Sequence, residues 1–114
     1  MGGCIFCRIA AGELGTEILH RGEGWVAFRD LNPQAPSHFL IVPEKHIPTI
    51  NELTAIDDQL VGEMIRGAAE IAASEGVAAD GYRLVFNCNA GAGQSVWHVH
   101  LHLLGGRPFG WPPG

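Results

Sequence analysis

The chain has 114 residues, 46% of them apolar and 17% charged, which suits one domain with one core. Seven scattered basic residues against twelve acidic ones, a net charge of −5, exclude a footprint for a nucleic-acid backbone, and no apolar run approaches a membrane span. The start, MGGC, lacks the regions of a signal peptide, Phe6 stands where myristoylation of Gly2 needs Ser or Thr, and three cysteines argue against a disulfide framework, so the expectation is a cytoplasmic protein.

In chain order, residues 4–11 read as a short helix, with Ile5, Ile9 and the Arg8 stem at helical spacing and Gly12 and Gly15 closing it. Residues 17–20 and 25–29 read as two strands around a turn at 21–24, with Val26 and Phe28 sharing a face. Residues 30–37 form a loop fixed by Pro33 and Pro36. Residues 38–42 are nearly all apolar, hence a central strand, and Pro43 ends its pairing. Two helical turns begin near Ile47. A long helix follows, N-capped by Thr54 with Asp57 three residues on and stopped by Gly76. Its core stripe runs through Ile56, Leu60, Val61, Met64, Ile65, Ala68, Ile71 and Ala72. Residues 82–87 and 97–104 are the last strands, and Cys88 reads as a small buried residue. The tail from Gly105 holds three prolines and forms neither ladder nor helix. A mostly antiparallel sheet of about five strands with one short and one long helix is α+β, in a single domain spanning residues 1–114.

The densest chemistry is in Trp97-His98-Val99-His100-Leu101-His102-Leu103-Leu104. A period of two puts Trp97, Val99, Leu101 and Leu103 on a core face and the three imidazoles on the other, about 7 Å apart. Solvent would accept Thr, Lys or Glu equally well, so three histidines in register point to a metal site, a general acid/base pair or a histidine nucleophile. The Gly-rich loop before them, Asn89 to Ser95, lets backbone N–H groups approach an anion, and Ser95 adds a hydroxyl donor. Cys4-Ile5-Phe6-Cys7 is a second cluster. A C-x-x-C pair is redox-active or half of a zinc site; no strand precedes it, as a redox pair usually has, and zinc needs two more ligands.

The histidine run resembles the His-φ-His-φ-His-φ-φ signature of the histidine triad family of nucleotide-binding proteins. The likeness extends through Asp30-Leu31-Asn32-Pro33-Gln34-Ala35-Pro36 and residues 38–43 to the ending Trp111-Pro112-Pro113-Gly114, which looks like the purine nucleoside phosphoramidase branch. The resemblance implies a HIT-like fold and hydrolysis of a purine nucleoside 5′-phosphoramidate (AMP or GMP type) through a nucleotidyl-histidine intermediate. The alternatives are a dinucleoside polyphosphate hydrolase and a non-enzymatic nucleotide-binding regulator. It implies His100 as nucleophile, with His102, Ser95 and the Gly93 and Gln94 backbone on the phosphate, and Asn87 on the ribose-phosphate. Asp30 would accept the ribose hydroxyls, or merely cap its turn. Ile9, Phe28 and Leu31 would form the purine slot. His38 is either a proton relay or a satisfied structural histidine. Cys4, Cys7, His46 and His98 match the zinc ligands of some members, which implies a structural zinc placed away from the chemistry, with no organic cofactor. It also implies a homodimer in which residues 105–114 approach the partner's site.

Overall fold

The computed structural model describes residues 3–114, so the reading of Met1 and Gly2 falls outside the described residues. Helix α1 is Ile5–Ala10, and the strands are β1 (His20–Gly22), β2 (Trp25–Arg29), β3 (Ser37–Pro43), β4 (Tyr82–Phe86) and β5 (Leu101–Gly105). The long helix α2 is Asp58–Ser74, approached through short 3-10 turns at Ile50–Glu52 and Ala55–Asp57. All five strands pair antiparallel in the order β1-β2-β3-β5-β4, which puts the apolar β3 at the centre. No helix is long and apolar enough to cross a membrane among the described residues.

The sheet has a core on each face, because alternate residues of β2 and β3 point opposite ways. On one face Ala27, Phe39, Ile41, Leu101 and Leu103 pack against Met64, Ala68, Ile71 and Ala72 of α2. On the other, Val26, Phe28, Leu40 and Val42 pack against Phe6 and Ile9 of α1. Fully burying a side chain the size of Phe6 contributes about 2 kcal/mol, which fixes an otherwise marginal six-residue helix. Cys4 starts that helix: its Sγ accepts the Cys7 N–H at 3.4 Å.

Several expectations need correction. Pairing of the first strand begins at His20 rather than at residue 17, and the turn shrinks to Glu23-Gly24, with Gly24 at φ +82°. Two helical turns near Ile47 become one 3-10 turn capped by Thr49. Thr54 starts the second 3-10 turn, not α2 itself; the Asp57 carboxylate accepts its N–H at 3.0 Å and takes Lys45 Nζ at 2.5 Å. Ile56 and Ile65 of the expected core stripe are exposed, because the face of α2 that meets the sheet runs through Met64, Ala68, Ile71 and Ala72. Cys88 is half-buried. The last strand starts at Leu101, four residues late. Residues 97–100 lie instead against the segment after β3, where Val99 N–H donates to the Ile47 carbonyl at 2.7 Å. Trp97 is therefore not a core residue but half exposed.

Candidate active site

His100 is buried but lines a cleft of about 240 Å³. Its Nδ1 lies 2.9 Å from the His98 carbonyl. A carbonyl only accepts, so Nδ1 carries the proton and Nε2 keeps a free lone pair. His102, on β5, stands beside it at 5.0 Å between ring centroids, closer than strand geometry alone implies, since His100 precedes the strand.

A chain of hydrogen bonds sets the tautomer of His102. The Gln34 N–H donates to His38 Nδ1 at 3.0 Å, so a neutral His38 carries its proton on Nε2. That nitrogen is 2.9 Å from His102 Nδ1, which must accept, leaving Nε2–H of His102 as a donor. Burial above all pushes His102 down to about 4, with His100 and His38 adding to it, and burial lowers His38 as well. Both rings are neutral near pH 7. Asp30 Oδ2 is 3.4 Å from His38 Nε2, so Asp30, His38 and His102 could be taken for a metal cluster. The tautomers argue against it: both ring nitrogens that face one another are already joined by one proton, and His38 Nδ1 is occupied by Gln34.

The same cleft is walled by Ile9, Phe28, Asp30, Leu31 and Ser95. Leu31 is 98% exposed, an apolar side chain at the mouth of an apolar slot. Asp30 does cap its turn, Oδ1 accepting the Asn32 N–H at 2.8 Å, and its other oxygen faces His38. Asn87, Gly93 and Gln94 are not in the wall. The Gln94 side chain is spent on the loop, accepting the Asn89 N–H and donating to the Pro48 and Val96 carbonyls. Gly93, at φ +90°, closes the 3-10 turn before Ser95. Phe6, Thr16, Leu40 and Val96 also line the cleft. Sequence reasoning left Phe6 out, although its place inside C-x-x-C on a helix with Ile9 was a usable signal.

Cys4, Cys7, His46 and His98 form a second cluster, their ligand atoms all within 4.8 Å of one another. Cys4 Sγ and His98 Nδ1 are 3.3 Å apart, Cys7 Sγ and His46 Nδ1 3.3 Å, and the two Nδ1 atoms 3.2 Å. Bonds of about 2.0–2.3 Å to a tetrahedral ion give ligand separations of roughly 3.3–3.7 Å, so the donor set fits one zinc ion. His98 Nε2 donates to the Pro43 carbonyl at 2.8 Å, which leaves Nδ1 as the ligand nitrogen. The cluster adjoins His100, whereas the resemblance implied a place away from the chemistry. It shares His98 with the anchor of His100, and Phe6 lies edge-on to both rings.

The HIT domain family model matches residues 11–109. The chain belongs to the HIT family. The match begins after Cys4 and Cys7, so the cysteine half of the cluster lies outside it. The HIT chain is 50% identical over 106 residues to a purine nucleoside phosphoramidase of Escherichia coli (strain K12), covering 93% of this chain and 89% of that one. Among solved structures, a HIT family hydrolase of Legionella pneumophila aligns with a TM-score of 0.95 at 50% identity, covering 98% of this chain and all of that one. A HIT family hydrolase of Clostridium thermocellum aligns with a TM-score of 0.92 at 40% identity, with 96% of each chain covered.

Proposed function

We propose that this HIT protein is a hydrolase of purine nucleoside 5′-phosphoramidates, cleaving the P–N bond to give a nucleoside monophosphate and an amine. The observation that carries the reading is the fixed orientation of His100, whose Nδ1–H is held by the His98 carbonyl so that the other ring nitrogen is left for the substrate, in a cleft beside two donors. The likeness to the Escherichia coli phosphoramidase supports the P–N bond as the target.

In this reading His100 Nε2 attacks phosphorus and the P–N bond breaks. The nitrogen leaves with the electron pair and takes a proton from solvent. Water then cleaves the P–Nε2 bond of the nucleotidyl-histidine and frees the ring. His102 Nε2–H and the Ser95 hydroxyl donate to the phosphate oxygens, where negative charge grows. Asp30 accepts the ribose hydroxyls, and a purine of AMP or GMP type lies among Ile9, Phe28 and Leu31.

Zinc is the proposed occupant of Cys4, Cys7, His46 and His98. With four protein ligands and no open position it supplies a structural cross-link only. Thiolate ligands must stay reduced, which favours a cytoplasmic setting. A homodimer is proposed on two features: β4 pairs only with β5 among the described residues, and Ile65 of α2 is exposed. The tail also holds to its own protomer, Arg83 donating to the Gly110 carbonyl at 2.8 Å, and leaves Trp111 exposed for a partner.

The test is turnover of adenosine 5′-phosphoramidate against a diadenosine polyphosphate. Cleavage of the first supports the proposal. Cleavage of the second alone moves the chain to another HIT activity, and AMP binding without cleavage of either makes it a binding protein.

A further inference from the structure

Ser95 and His100 both line the cleft, and both hang from the same short segment after β3. The N–H of Val99, the residue before His100, donates to the Ile47 carbonyl at 2.7 Å. Nε2 of Gln94, the residue before Ser95, donates to the Pro48 carbonyl at 2.8 Å. The same Nε2 donates to the Val96 carbonyl at 3.0 Å, so the amide closes a ring of chain around Ser95. Gln94 Oε1 accepts the Asn89 N–H at 2.8 Å. One N–H and two carbonyls as partners leave the amide a single orientation. Gln94 is buried, whereas Ser95 is exposed. Asn89 sits at φ +70° and ψ 173°, a backbone conformation that favours glycine and persists only where its surroundings over-determine it. The bond from its N–H to Gln94 is one of those constraints.

We infer that Gln94 is a positioning residue, whose side-chain amide sets where the Ser95 hydroxyl stands relative to His100. Gln94 stays outside the cleft wall and acts through Ser95. The adjacent carbonyls of Ile47 and Pro48 serve as a common reference for the two groups, one holding the histidine run and the other the loop. The hydroxyl is thereby in place before a phosphate arrives, and no reorganisation of the loop is needed as charge grows on the phosphate oxygens. The inference rests on the phosphoramidase reading above, in which Ser95 donates to one of those oxygens.

A double-mutant cycle with adenosine 5′-phosphoramidate as substrate tests it. Gln94→Met fills a similar volume but makes none of the three hydrogen bonds. Gln94→Glu keeps the acceptor for Asn89 and, when ionised, lacks both donors. Each is expected to lower kcat about tenfold to a hundredfold, with KM changed less than about twofold. In a Ser95→Ala background there is no hydroxyl to place, and the same substitutions are expected to cost less than about twofold. Adenosine, which carries no phosphate, is expected to bind each variant as it binds wild type, which shows that the variants fold. A loss of equal size on both backgrounds, or no loss on either, overturns the positioning role and leaves the reaction standing. Full turnover by Ser95→Ala does the same. If wild type does not cleave the phosphoramidate, the phosphoramidase reading fails, and the positioning role with it.

Discussion

The backbone carbonyl of His98 holds the Nδ1–H of His100 at 2.9 Å, while the ring of the same His98 reaches Cys4 at 3.3 Å. The anchor of His100 is thereby tied to the start of the chain, by partners 94 positions apart in sequence. Phe6, between the cysteines, braces both rings at centroid distances of 6.0 and 5.0 Å.

Removing the zinc proposed for this cluster should therefore touch catalysis as well as stability. Chelation, or Cys4→Ser, is expected to lower the melting temperature and to lower kcat for the phosphoramidate, with KM changed less. Loss of metal affinity on the order of 10–100-fold or more is expected for the variant. Metal analysis, thermal melts and steady-state kinetics on the same samples check this. Fully active protein shown to be metal-free would contradict it.

The low pKa of His102 sets a pH dependence. An unfolded histidine titrates near 6.5, whereas burial holds His102 at about 4 in the fold. Between those values the unfolded chain binds more protons, so stability rises with pH there. The contribution is complete above pH 6.5 and is lost as pH falls from there toward 4, by at most about 3 kcal/mol for this group. Urea unfolding at pH 7 and pH 5 measures the loss. In His102→Asn the loss should be smaller; an unchanged loss would place the acid sensitivity elsewhere.

The approach of α2 to the β1–β2 hairpin depends on a missing side chain. A Cβ at Gly67 would lie 2.4 Å from the Trp25 indole, and one at Gly22 would lie 2.1 Å from it. Gly67→Ala gains about 1 kcal/mol of helix propensity but forces the ring to move, so a net destabilisation of about 1–2 kcal/mol is expected. Gly62, on the same helix, has nothing within 4 Å of its Cβ position. Gly62→Ala should stabilise by up to about 1 kcal/mol. Chemical unfolding of the two variants gives opposite signs if the packing is as described.

Leu31 is expected to act through binding. It is almost fully exposed without ligand, and a purine seated against it would bury it. Leu31→Ser should raise KM for the phosphoramidate roughly tenfold, about 1.4 kcal/mol, with kcat nearly unchanged. A fall in kcat at constant KM would remove Leu31 from the purine slot.

The elements most legible in the sequence were those whose pattern and surroundings agree. β2 matches its expected bounds and β3 exceeds them by one residue at each end, because period-two residues there do face two cores. Met64, Ala68, Ile71 and Ala72 were legible for the same reason. The pattern misled at Trp97 to His100. Alternation predicted a strand, but His98 is pulled toward Cys4, His46 and the Pro43 carbonyl, partners that local periodicity does not register. The spacing Cys4-x-x-Cys7 was readable, but its closeness to His100 was not. That depends on how residues distant in sequence fold over one face of the sheet. The tautomers of His38 and His102 were also invisible, since they turn on the Gln34 backbone N–H.

The most direct measurement of the central claim is a rapid quench of the enzyme in alkaline denaturant, where a P–N(histidine) bond survives, during turnover of adenosine 5′-phosphoramidate, followed by peptide mass analysis kept at alkaline pH. An adenylyl group on the peptide containing His100, absent from His100→Ala, is the result this mechanism requires. Full turnover by His100→Ala, or an adduct on a different residue, would contradict it.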